Sequence, residues 1–101
     1  MYHLYDSTRA DKKFMVITPN KKKIHFGASN YEDYTMHHDN KRKDAYIARH
    51  QHNEDWTETG LDTAGFWARW LLWNKSTIKA SILDIDQRFG IGIEYDSHHD
   101  Y

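Results

Sequence analysis

Cysteine is absent from the 101 residues, so neither a disulfide nor a thiolate metal site can form. The same absence fits an intracellular, reducing setting. Proline occurs once, at Pro19, and glycine five times, and no stretch of the chain reads as a linker or low-complexity tract. Gly90 and Gly92 form a lone G-x-G beside no phosphate motif, so a glycine-cradled nucleotide site finds no support. The opening residues MYHLYDSTRADKK hold no apolar run after a basic region, so no signal peptide is expected. The most apolar stretch contains Arg69 and spans only about 10 residues, while a membrane crossing needs about 20. Serine in a G-x-S-x-G elbow is also missing, which leaves nucleophilic catalysis without a motif.

What the chain does have is aromatic residues and an uneven charge distribution. Phe, Trp and Tyr make up 15% of it, and three of its four tryptophans fall between Trp67 and Trp73. The net charge is −1, yet residues 1–52 carry ten Lys/Arg against six Asp/Glu, and residues 53–101 carry four against nine. Such a split predicts a basic and an acidic face. The length predicts one domain over 1–101 with a modest core.

The hydrophobic pattern predicts an α+β fold: a small antiparallel sheet packed on about three helices, with a central Trp-rich helix. Residues 2–7, 13–18 and 24–28 read as strands of a meander, the second joined to the third through the turn PNKKK. Asp39 caps a helix over 40–51 whose inward face is Lys43, Tyr46, Ile47 and His50. Asp62 or Thr63 caps the tryptophan helix, on which Phe66, Trp70 and Trp73 share one stripe at 100° per residue. A third helix, starting at Asn74 or Ser76, repeats Ile78, Ile82, Ile85 and Phe89 and ends at Gly90. Residues 91–95 alternate as a final strand, and the tail 96–101 is expected to be disordered.

Three groups of residues are candidates for function. Lys21, Lys22 and Lys23 in the turn, with Lys41, Arg42 and Arg49 on the outward face of the basic helix, would bind nucleic acid or an acidic partner if they form one patch. Small Ala45 and Ala48 between those cations would let the helix approach such a surface closely. Trp56, Trp67 and Arg69 are candidates for a protein interface: Phe66, Trp70 and Trp73 fill a small core, which pushes a further ring to the rim. His37, His38, His50 and His52 lie near Asp33, Asp39 and Glu54, but their spacing matches no metal motif, so no metal and no cofactor is expected. Asp33–Asp39 and Asp84–Asp86 are carboxylate pairs without a catalytic context, and no catalytic residue is named.

The segments IHFG, YEDYTMHHD, RKDAYIARH and TAGFWARWLLWNK together resemble a small family of uncharacterised proteins from large DNA viruses of algae and protists, the phycodnaviruses and their relatives. The resemblance runs over residues 12–89. It rests on His25-Phe26-Gly27, Tyr31, Asp33-Tyr34, His37, Asp39, Arg42-Lys43, Tyr46, Arg49-His50, Trp56, Thr63 to Trp67 and Trp70 to Lys75. It implies a viral origin and transfers no activity. The expectation is therefore a non-enzymatic interaction protein, a small virion-associated or structural component, located in the virion or in the host cytoplasm or nucleus. Its partner would be another virion protein or a second copy of itself. A nucleic-acid-binding module on the 21–23 turn and the 41–52 helix is the alternative, and a metal-dependent nuclease the third reading.

Overall fold

Three strands open the chain, as their alternating residues predict: β1 (Tyr2–Asp6), β2 (Lys12–Ile17) and β3 (Lys23–Ala28). The structure is a computed structural model describing residues 1–96. The expected disorder of the tail concerns residues that lie outside the described range, except Asp96, which belongs to a fourth strand, β4 (Ile93–Asp96). The sheet order is β3-β2-β1-β4. β1 and β3 both pair antiparallel with β2, and β4 pairs parallel with β1. The sheet is thus mixed rather than wholly antiparallel. β4 is reached through a helix and not through a hairpin, and such a crossover can return the chain in the direction of its neighbour.

One face of the sheet carries Leu4, Val16, Ile24 and Phe26, all in the main core. Against it pack α3 (Ala64–Trp67), the π-helical turn Ala68–Leu72 that continues it, and α4 (Ile78–Phe89). Two further helices lie between β3 and α3 in the chain: α1 (Tyr34–His37) and α2 (Asn40–His50). A 3₁₀ turn, Glu58–Gly60, interrupts the long connection to α3.

The helix starts follow side-chain chemistry. Asp39 accepts from the Lys41 and Arg42 amides and starts α2. Thr63, rather than Asp62, accepts from the Phe66 amide and starts α3. Thr77, rather than Asn74 or Ser76, accepts from the Ala80 amide and starts α4. Asn74 instead braces the corner before α4, its buried amide donating to Trp70 O and to an Asp84 carboxylate oxygen at 2.7 Å. Gly90 ends α4 at φ 67°, a conformation glycine adopts at no steric cost.

The tryptophans are the main correction. Trp67, expected at the rim, is fully buried, and its indole N–H donates to Leu61 O at 2.9 Å. Trp73, expected in the core, is only half-buried. The π turn accounts for Trp73. The Trp73 amide reaches back to Ala68 O, five residues away, at 3.2 Å. A π turn holds roughly one residue more than an α turn, so side chains beyond it lag the 100° progression. Trp73 therefore swings off the stripe of Phe66 and Trp70. Trp67 meanwhile turns inward against Phe66 and Tyr2, with ring centroids at 5.1 and 5.5 Å.

Trp67→Ala removes a whole indole from this interior and is expected to cost about 3–5 kcal/mol. Met36→Ala, at an exposed site, should stay within about 0.5 kcal/mol of the unmodified chain. Urea denaturation followed by far-UV circular dichroism checks both values. Equal midpoints for the two variants would contradict the placement of Trp67.

Candidate binding cleft

β3 ends where the loop to α1 begins, and its last residues, Gly27 and Ala28, line a common cleft with α2. Tyr46 is the one buried residue of α2. Its ring stacks on Trp73 at 4.4 Å between centroids and 3° between planes. His50 lies on Tyr46 at 4.4 Å, and His37 on Trp73 at 5.3 Å. Lys43 supports the same helix, donating to Asn74 O at 3.0 Å and lying over the Tyr34 ring at 4.4 Å. The predicted inward face of α2 is thus the face that docks.

Beside this docking point opens a cleft of about 530 Å³. One wall is the α2 stripe Arg42, Ala45 and Arg49, spaced i, i+3 and i+7 along the helix. The opposite side is the end of β3, Gly27 and Ala28, with Ala68 and Leu72 of the π turn. Gly27 sits at φ 78°, where a side chain would be strained, and a Cβ there would lie 2.7 Å from Leu72 Cδ1, so a larger residue would press on the π turn. Tyr31 and Glu32, both exposed, stand at the mouth, and Asp33 completes this part of the lining. Asp33 is nearly fully buried. One of its carboxylate oxygens accepts from Lys13 Nζ at 2.6 Å, the other from the Thr35 amide at 2.9 Å. Arg42 pairs with Glu32 at 3.1 Å. Arg49 has no ion-pair or hydrogen-bond partner among the described residues. A size of several hundred Å³ with a few polar groups in an apolar lining is typical of a ligand site.

The predicted basic patch divides in two. Arg42 and Arg49 line the cleft, and Lys41 is exposed on the same helix. Lys21, Lys22 and Lys23 stand at the other end of β3, about 16 Å from Ala28 along a six-residue strand. There Lys22 Nζ donates to Asp62 O at 2.9 Å. One continuous cationic footprint of turn and helix therefore does not form.

Trp56 and Arg69 are half-buried, and both make contacts within the fold. Arg69 donates to Trp73 O at 2.7 Å and lies over the rings of Trp70 and Trp56, at 4.4 and 5.5 Å. Burial, with the nearby Arg88 charge, lowers its pKa. Trp56 accepts on its carbonyl from the Trp70 indole at 2.9 Å and lies parallel to Tyr46 at 6.4 Å, as a lid on the core.

The histidines do not converge. His37 Nδ1 accepts from the Asp39 amide at 2.9 Å, which leaves the proton of the neutral ring on Nε2. His38 Nε2 lies 3.1 Å from both Thr35 O and Ser76 O, so it carries a proton and donates. Among the described residues no three His, Asp or Glu side chains come together to hold a metal ion. His98 and His99 lie outside the described residues.

The sequence names Arg42 and Arg49 but not the cleft. The pairing of Lys13 with Asp33 spans twenty residues, and no local period signals it.

Burial, reinforced by the Glu54 charge and opposed by Arg69 and Arg49, pushes the Tyr46 phenol from 10.0 up to about 12. The folded state therefore favours the neutral phenol. The stability this contributes is complete below pH 10 and is lost as pH rises to about 12. Tyr46→Phe lacks a phenol to ionise. Between pH 10 and 12 the urea midpoint of the unmodified chain should fall more steeply than that of Tyr46→Phe. Parallel declines would contradict the burial of this ring.

A family model described as a family of unknown function (DUF5754) matches residues 2–50. The match runs from the first residue of β1 to the last of α2. It includes every residue lining the cleft except Ala68, Leu72 and Trp73. It stops short of Trp56 and of the tryptophan segment, which the resemblance over 12–89 included. No curated protein and no solved structure matches the chain. Among the described residues, no helix is long and apolar enough to cross a membrane.

Proposed function

We propose that the chain is a non-enzymatic interaction protein that holds a protein partner on α2 and the cleft beside it. The observation that carries this reading is the cleft itself. It is walled by a helix stripe that carries Arg42 and Arg49 and has an exposed aromatic, Tyr31, at its mouth. Aromatic residues and arginines are the side chains enriched at protein interfaces. The setting that goes with this reading is the particle of a large DNA virus, where the chain is a small structural or virion-associated component. That part rests on the resemblance of its motifs.

Nucleic-acid binding is the second reading. Its support is the row Lys41, Arg42 and Arg49 on one helix. Against it, Arg42 is paired with Glu32, and the lysine turn lies at the far end of β3. The nuclease reading has no group of converging ligands to build on among the described residues.

A photoreactive amino acid placed at Ala48, on the exposed face of α2, separates these readings in cells that produce the chain. The expected product is a discrete protein adduct, with none from the same group at Lys79 on α4. Adducts with DNA or RNA alone would carry the second reading instead. In purified particles of the virus encoding the chain, mass spectrometry should find it at a fixed copy number.

A further inference from the structure

Three features of the cleft limit what it can bind. The first is charge. Lys13 and Arg42 are already neutralised by Asp33 and Glu32, and those two carboxylates also line the space. Arg49 is the one cation of the lining without a partner among the described residues. One uncompensated positive charge beside two fixed negative ones matches a singly charged anion. It disfavours a phosphate monoester, which carries about −1.5 to −2 near pH 7.

The second feature is the rings. A nucleobase needs an open aromatic face. Tyr46 is stacked on Trp73 and also touched by His50, and Trp73 is touched by Tyr46 and by His37. Both rings are already engaged by neighbouring rings. Only Tyr31 at the mouth, 70% exposed, offers its ring to a ligand.

The third is an unpaired donor. Tyr46 is only 9% exposed, lines the cleft, and makes no hydrogen bond with another described residue. Its phenol stays protonated at neutral pH and can donate. The walls around it are short or apolar: Gly27, Ala28, Ala45 and Ala68.

We infer that the cleft receives one carboxylate on an apolar stem: an aspartate or glutamate of the protein partner, beside a large apolar residue that packs on Tyr31. Arg49 can take both oxygens of such a group with its planar fork, and the Tyr46 hydroxyl can donate to one of them. The inference rests on the reading of the chain as a protein-binding module and names the part of the partner that is held.

The test is a titration of the ¹⁵N-labelled chain followed by amide chemical shifts. Phenylacetate is the probe, a carboxylate on a short apolar stem. Phenylacetamide is its neutral isostere, and phenyl phosphate carries the heavier charge. Phenylacetate should move the amide signals of residues 27–33 and 42–50. It should bind roughly tenfold more tightly than the amide, the effect of one charge-assisted contact. Arg49→Gln should abolish that preference, and Ala45→Leu should block the probe by filling the cleft. Both positions are exposed on α2, and the unliganded spectra of the variants report whether the fold is kept.

Equal binding of acid and amide overturns the inference. So does tighter binding of phenyl phosphate, an undiminished preference in Arg49→Gln, or saturating probe that leaves the cleft signals unmoved. None of these results touches a protein adduct formed at Ala48. Conversely, carboxylate binding without any protein adduct would make the cleft a small-molecule site and remove the protein partner. The two ideas therefore fail separately.

Discussion

The stack of Tyr46 on Trp73 is the contact on which the candidate site depends. α2 buries no other side chain, so this pair of parallel rings, with Lys43 bonded to Asn74 O, fixes the helix against the rest of the fold. Without it the stripe Arg42, Ala45 and Arg49 would have no defined opposite wall. The stack in turn requires Trp73 to point away from the core, and the π turn before it supplies that. Inserted π turns are frequent at functional sites, where they re-aim side chains. Here the re-aimed side chain is the one that receives α2.

Why the tryptophans crowd together follows from the connection they hold. The segment between α2 and α3 has few apolar residues of its own. The Trp67 indole bonds Leu61 O, and the Trp70 indole bonds Trp56 O, so two core rings pin it at two places. Burying an indole requires a partner for its N–H, and these carbonyls meet the need. The arrangement is not fully satisfied. Trp56 Nε1 and Arg69 Nε are buried without partners, and an unpaired polar group costs about 1–3 kcal/mol. Cation–π contact compensates in part: Arg69 and Arg88 each lie 4.4 Å from the Trp70 ring.

Much of the fold was legible because it is written locally. Alternation located the first three strands, Asp39 announced α2, and Lys43, Tyr46, Ile47 and His50 marked its docking face. The exchange of roles between Trp67 and Trp73 was not legible, since a 100° rotation assumes an unbroken α-helix and nothing in ARWLL signals the extra residue. The direction of β4 was equally hidden, because alternation fixes which face a residue takes and not which way a strand runs. Of the site, Arg42 and Arg49 were visible as cations on one helix. Their neighbours Gly27, Asp33 and Leu72 come from three other segments, and only the tertiary fold brings them together. Lys21 to Lys23 illustrate the converse: closeness in composition did not become closeness in space.

The pairing of β1 with β4 has a consequence for how the chain folds. β1, β2 and β3 can form from a contiguous stretch, with short loops to close. The β1–β4 ladder joins Tyr2 to Ile93, nearly opposite ends of the described chain. Closing so long a loop has a large entropic cost that must be met before the new contacts repay it. The meander and helices are therefore expected to assemble first, with β4 adding last, as a clasp on a body already formed. Until it does, β1 is an open sheet edge, the kind of surface on which unfinished chains pair with one another.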